Sequence, residues 1–161
     1  MKLKKNIPLI DQHDKYGFWG GKFGGSFIPE TLKKPVEDLT QEFQKLRKNK
    51  KFINKRNFYF RNYIGSPTSF VKLENLSNHL KGAQIWAKVV SEANGGAHKI
   101  SNAPVPALIC TAMCKKYIFG DTGAGYAGHM LSLAAHNFGF NCKIFMGATY
   151  LNIQQPTCDA L

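Results

Sequence analysis

Lys99 stands in the stretch "GGAHKISNA", Gly95 to Ala103, between a histidine and an isoleucine and ringed by small residues. It follows the apolar run "AQIWAKVV" and precedes a helix-like segment, a setting that a solvent-facing lysine does not require. An amine partly withdrawn from water gives up its proton more readily and can attack a carbonyl carbon. A second stretch, "GDTGAGYAG" from Gly120 to Gly128, supplies complementary chemistry. Asp121 falls where a strand should stop, and Thr122, Gly123, Ala124 and Gly125 offer successive backbone N–H groups leading into a helix. Such a turn binds a carboxylate or a phosphate. Together the two stretches suggest an amine acting on a bound carboxylate substrate.

The elements that must position these residues are readable from the apolar pattern. From Ala83 onward, "AQIWAKVV", "YIFG" and "CKIFMG" read as strands, and "PALICTAMCKK" and "GHMLSLAAHNFG" as helices. Alternation with short connections predicts parallel strands in an α/β sheet. Ligands of such sheets sit at the carboxyl ends of the strands. Lys99 should therefore lie just past the strand ending near Val90, and Asp121 at the next tip, both facing one pocket. Pro104 and Pro106 require the helix after Lys99 to begin late.

Before Ala83 the texture differs. The glycines of "YGFWGGKFGGSF" suit turns and close backbone approach. "PETLKKPVEDLTQEFQKLRK" reads as a helix with Val36, Leu39, Phe43 and Leu46 on one face and Pro35 in its first turn. "VKLENLSNHLKG" reads as a shorter helix with Leu73, Leu76 and Leu80 inward. The expected architecture is α/β: a helical N-terminal portion followed by a partial wound parallel sheet. It forms a single partial domain over 1–161, with a glycine-rich start and helices in 1–82 and the α/β layer in 83–161.

Lys plus Arg is 22 against 10 for Asp plus Glu, a net charge of +12. That balance admits nucleic acid, an acidic protein surface or an anionic small molecule as partner, beside a plain lysine-rich solvated surface. From Lys45 to Tyr63 the chain carries eight basic residues and no acidic one, interleaved with Phe52, Phe58, Tyr59, Phe60 and Tyr63. A single-strand-binding surface has this composition. The near-helical spacing favours an amphipathic helix instead, with Phe52, Tyr59, Phe60 and Tyr63 on the core and Lys55, Arg56 and Arg61 in water. Cys110 and Cys114, four apart, share a helical face but lack the further ligands of a metal site, and read as core thiols. His129 and His136 read as structural or surface residues, and Trp86 as core. No apolar stretch is long enough to cross a bilayer, the N-terminus lacks a signal-peptide core, and the expected location is the cytoplasm.

Five segments, "GKFGGSFIPETL", "YIGSPT", "GAQIWAKVVSEANGGAHKISNA", "GDTGAGYAGH" and "CKIFMGA", occur in the order and nearly the spacing of one known family. From about Gly21 to Ala148 the chain resembles the β subunit of tryptophan synthase. The resemblance implies a pyridoxal-phosphate enzyme of the type II fold, which joins L-serine to indole to give L-tryptophan. It implies that Lys99 holds the cofactor as a Schiff base and that His98 lies beside the cofactor phosphate. Asp121 matches the family's glutamate, an acid/base at the serine hydroxyl and indole. Thr122, Gly123, Ala124 and Gly125 match the loop that binds the substrate carboxylate. A tryptophan synthase α subunit and a second copy of the chain are the implied protein partners.

The chain departs from the family pattern at several places. Val89, Val90 and Ser91 replace charged residues, Asp121 is one methylene shorter than glutamate, and Tyr126 and Ala127 replace a Gln-His pair. Nothing glycine-rich follows Gly147, where the family's phosphate-binding loop would lie further along a longer chain. Three readings follow: a tryptophan synthase β-like enzyme, a non-catalytic remnant or fragment that docks on an α-type subunit, and a nucleic-acid-binding basic module.

Overall fold

A computed structural model describes residues 7–159. The chain divides into two compact units that meet in sequence between Thr40 and Gln41. In the first, β1 (Phe18–Trp19) and β2 (Phe23–Gly24) pair as an antiparallel hairpin. Asp14 caps this turn by accepting the N–H groups of Tyr16 and Phe18 through its carboxylate, and the Trp19 indole N–H donates to the Leu9 carbonyl. Helix α1 (Glu30–Leu46) runs from the first unit into the second. Pro35 is its sixth residue rather than a member of its first turn. The ring removes one backbone donor there, at a point where the helix has already started. Val36 and Leu39 remain largely exposed on the face expected to be covered.

In the second unit, α2 (Lys50–Tyr59) starts at Asn49, whose side-chain oxygen accepts the N–H groups of Lys51 and Phe52. The helix ends in a π turn, Phe60–Ile64, terminated by left-handed Gly65. As the amphipathic reading expects, Phe52, Tyr59, Phe60 and Tyr63 are half-buried while Lys55 and Arg61 are exposed; Arg56 is half-buried, against expectation. Strand β3 (Phe70–Lys72) pairs antiparallel with β4 (Trp86–Lys88), and α3 (Glu74–Leu80) connects them. This corrects two expectations. "AQIWAKVV" yields only three strand residues, and they belong to an antiparallel pair apart from the parallel sheet. Leu76 and Leu80 are exposed, and so is Trp86, which stacks on Phe70 with ring centroids 5.0 Å apart.

Next comes α4 (Pro104–Ala112), with Pro104 as its first residue and Pro106 as its third. Both prolines occupy the turn whose N–H groups have no intrahelical acceptor, so neither costs a helix bond. Cys114 lies past the helix end, with φ of 53°, so Cys110 and Cys114 do not share a helical face. Among the described residues no group of His, Cys, Asp and Glu could hold a metal ion. No helix there is long and apolar enough to cross a membrane.

A β-α-β unit follows, as the alternating pattern predicts. Strand β5 (Tyr117–Thr122) and β6 (Asn141–Met146) run parallel, in register from Tyr117↔Asn141 to Thr122↔Met146, with α5 (Tyr126–Phe138) as the crossover. Alternate residues face opposite sides of a strand. Ile118, Gly120 and Thr122 are the more buried set, and α5 packs on both strands. A Cβ on Gly128 would stand 2.9 Å from Ile144 and 3.1 Å from Thr122, so only glycine lets the start of α5 approach the sheet this closely. The other face carries Tyr117, Phe119 and Phe145, all exposed. Two short helices, α6 (Ala148–Ile153) and α7 (Gln155–Asp159), complete the described chain. The architecture is thus α/β with an open, unclosed parallel pair.

A buried cluster of Ile64, Ala93, Ile100 and Met130 lies within the second unit, ringed by Phe60, Tyr63, Ala103, Tyr126 and Leu133. It joins the end of α2, the segment before Lys99 and the inner side of α5. Ile64 and Ile100 are completely buried.

Candidate functional site

Lys99 lies on a short 3-10 helix, His98–Asn102, and not at the tip of a strand. The neighbouring residue Ile100 is driven into the core, which fixes the turn. Lys99 itself is exposed, as is His98, so the expected withdrawal of the amine from water is not found. Its Nζ rests 5.7 Å from the centroid of the Tyr126 ring, within cation–π range. The Tyr126 hydroxyl donates to the carbonyl of Gly95 at 3.1 Å. Tyr126 is the first residue of α5, immediately after the "TGAG" turn. One side chain therefore ties the lysine loop to the start of the helix that follows that turn.

The turn departs from expectation in its strand boundary. Asp121 and Thr122 are still in β5. Asp121 is exposed, on the strand face opposite Thr122. Thr122 is buried, and its hydroxyl accepts the N–H of Gly128 at 3.2 Å, which caps α5 from the sheet side. Its side chain is thus engaged by the helix. Gly123 and Ala124 are exposed, and Gly125 is buried with φ of 90°. Among the described residues the N–H groups of Ala124 and Gly125 have no acceptor within the chain. They precede a helix of 13 residues, whose N-terminal partial positive charge favours an anion.

A cavity of about 380 Å³ opens here, lined by Gly95, Ala124, Tyr126 and His129 together with Pro156 and Thr157 of α7. The two stretches that the sequence singles out are therefore brought together, through Gly95 and Ala124. Asp121, Thr122 and His98 do not line this cavity, and Lys99 approaches it over Tyr126. Tyr126 and His129 are the residues missed by sequence reasoning. Tyr126 registers there only as a replacement for glutamine, and His129 as structural. His129 Nδ1 is buried with no partner among the described residues. Its place in the first turn of a helix that follows a glycine turn was the available signal.

Thr157 closes one side of the turn. A Cβ built on Gly125 would lie 2.3 Å from Thr157 Cγ2. Gly125→Ala thus combines a left-handed backbone with a clash, and should destabilise the protein by about 1 to 3 kcal/mol. Thermal melting checks this. Adding Thr157→Gly should recover the clash component only, leaving the backbone component.

No family model matches the chain. Curated relatives do. The chain is 41% identical over 128 residues to the tryptophan synthase beta chain of Leptospira biflexa, a match covering 80% of this chain and 32% of that protein. It is 36% identical over 139 residues to tryptophan synthase beta chain 1 of Chlamydia caviae, covering 86% and 34% respectively. The beta chain of Fusobacterium nucleatum is 36% identical over 135 residues, covering 84% and 34%. The chain spans about a third of the length of the curated relatives it matches. Over four-fifths of its own length, this chain is homologous to tryptophan synthase beta chains.

Proposed function

We propose that the chain carries the lysine and carboxylate-binding part of a pyridoxal-phosphate site on a type II fold. In this reading it acts in the condensation of L-serine with indole to L-tryptophan. The observation that supports it most is the tie between Lys99 and the "TGAG" turn through Tyr126. An α-type subunit and a second copy as partners, and a cytoplasmic location, go with the same reading.

The residues present fit the aldehyde end of the cofactor. A primary amine stands near a cavity of about 380 Å³ whose lining includes His129 and Ala124, and among the described residues the Ala124 amide has no acceptor. Lys99 would hold the group, with His98 next to it. Bound there, pyridoxal phosphate supplies an electron sink for negative charge at the substrate α-carbon. Lys99 would then take and return the α-proton, the role of a positioned general acid/base. The amides of Gly123, Ala124 and Gly125 hold the carboxylate, adding direction as well as charge. Asp121, exposed next to the turn, supplies the acid/base for the serine hydroxyl.

The test is to add pyridoxal phosphate to the full chain and record the visible spectrum, then supply L-serine and indole and measure L-tryptophan. A new visible band followed by product supports the reading. A second reading, docking on an α-type subunit without chemistry, is favoured by the exposure of Lys99 and by Thr157 over Gly125. It expects complex formation with an α subunit and no spectral change.

A further inference from the structure

A larger cavity, about 710 Å³, lies away from the lysine site and takes no part in the proposed chemistry. Its polar lining is Arg56, Asn57, Arg61, Ser66 and Lys88. Arg56 and Phe60, and Asn57 and Arg61, are each four residues apart, so they form two adjacent rows on one helical side, with Phe60 and Arg61 opening the π turn Phe60–Ile64. Gly65, with φ of 83°, then reverses the chain, and the N–H of Ser66 donates back to the Phe60 carbonyl at 2.8 Å.

Three cations and no carboxylate line this cavity. Arg56 donates twice to the side-chain oxygen of Asn57, at 3.1 and 2.8 Å, a neutral partner that leaves its charge uncompensated. Lys88 donates to the carbonyl of Thr68, also neutral. The carboxylate that Lys88 influences belongs to Glu92, which lies outside the lining. It accepts the N–H of Ser69 at 2.6 Å, a bond that holds the Glu92 carboxyl below its ordinary range. Three like charges with one carboxylate outside the lining as partial counter-charge repel one another, and a bound anion relieves that cost. Arginine forks match phosphate oxygens in geometry as well as charge.

The remaining lining is apolar: Phe60, Pro67 and Val105. Val105 belongs to the first turn of α4, whose N-terminal partial charge adds to the positive potential. The space is shallow and open to solvent, with room for an organic part beside a bare phosphate. We infer that this cavity binds a phosphorylated small molecule of about mononucleotide size. Its phosphates are held by Arg56, Arg61 and Lys88, and its organic part lies against Phe60. A nucleic-acid strand fits less well, because successive bases need successive exposed rings. Phe58 alone of these rings is exposed, for Tyr59 is committed to Phe138, with ring centroids 4.5 Å apart, and Phe52 and Tyr63 are half-buried.

Calorimetric titration of the full chain tests this with four probes: adenosine diphosphate, inorganic pyrophosphate, adenosine and a short single-stranded oligonucleotide. The diphosphate and pyrophosphate should bind, adenosine should not, and affinity should fall as salt rises. Arg61→Gln and Lys88→Gln should each weaken the diphosphate by about tenfold, the loss of one charge-assisted contact. Phe60→Leu should weaken the diphosphate and spare pyrophosphate. Arg61 and Lys88 are exposed, so these two variants should keep the parent melting temperature and remain interpretable if the Phe60 variant unfolds. Absence of diphosphate binding overturns the inference. So does binding that ignores both cation variants, or oligonucleotide binding without diphosphate binding.

Discussion

Ile100→Ala should lower the melting temperature by roughly 10 °C, a large stability effect for one substitution. The side chain is completely buried and packs with Ile64, Ala93 and Met130. Truncating a buried isoleucine to alanine costs about 2 to 5 kcal/mol, as lost transfer energy plus a cavity. Against a total stability of about 5 to 15 kcal/mol, that is a large fraction. Each kcal/mol moves the midpoint by roughly 2 to 4 °C in a chain of this size. Ile100→Val, which leaves most of the side chain, should cost only about 0.5 to 1.5 kcal/mol. The effect also reaches the site. Ile100 anchors the 3-10 helix that carries Lys99, so the alanine variant should weaken cofactor capture even below its melting point.

Lys99→Ala should abolish the visible band and reduce L-tryptophan formation by about 10² to 10⁴-fold, the usual share of a positioned proton-transfer group. Lys99→Arg separates charge from chemistry. The guanidinium keeps a cation over the Tyr126 ring but cannot give up its proton to become a nucleophile. It should retain the melting temperature of the parent and lose the band. Lys99 is exposed, so neither variant removes core contacts. If Lys99→Arg keeps the band, another amine holds the cofactor.

The β-α-β unit was legible from sequence because its three segments carry unambiguous patterns. "YIFG" and "CKIFMG" are short and apolar between turn residues, and "GHMLSLAAHNFG" is long enough to be only a helix. Strand β4 was not legible as placed. Its apolar run looks like a buried parallel strand, but its partner is β3, three residues with no pattern of their own. Tertiary pairing, and not propensity, decides such a register. Leu76 and Leu80 keep helical spacing, yet they remain exposed on α3. At the site, sequence spacing located both loops, and the cavity joins them through Gly95 and Ala124. It could not foresee that Thr122 turns inward to cap α5, because strand length decides which face each residue takes. Nor could it foresee Tyr126 as the tie between the loops, since that depends on a hydrogen bond to a residue 31 positions away.

The most direct measurement is to mix the full chain with pyridoxal phosphate, reduce with borohydride so that the group is fixed to whichever lysine holds it, and map the labelled peptide. Label confined to the peptide containing Lys99 is the predicted result. Label spread over the surface lysines, or none at all, would contradict a cofactor-binding amine at this position.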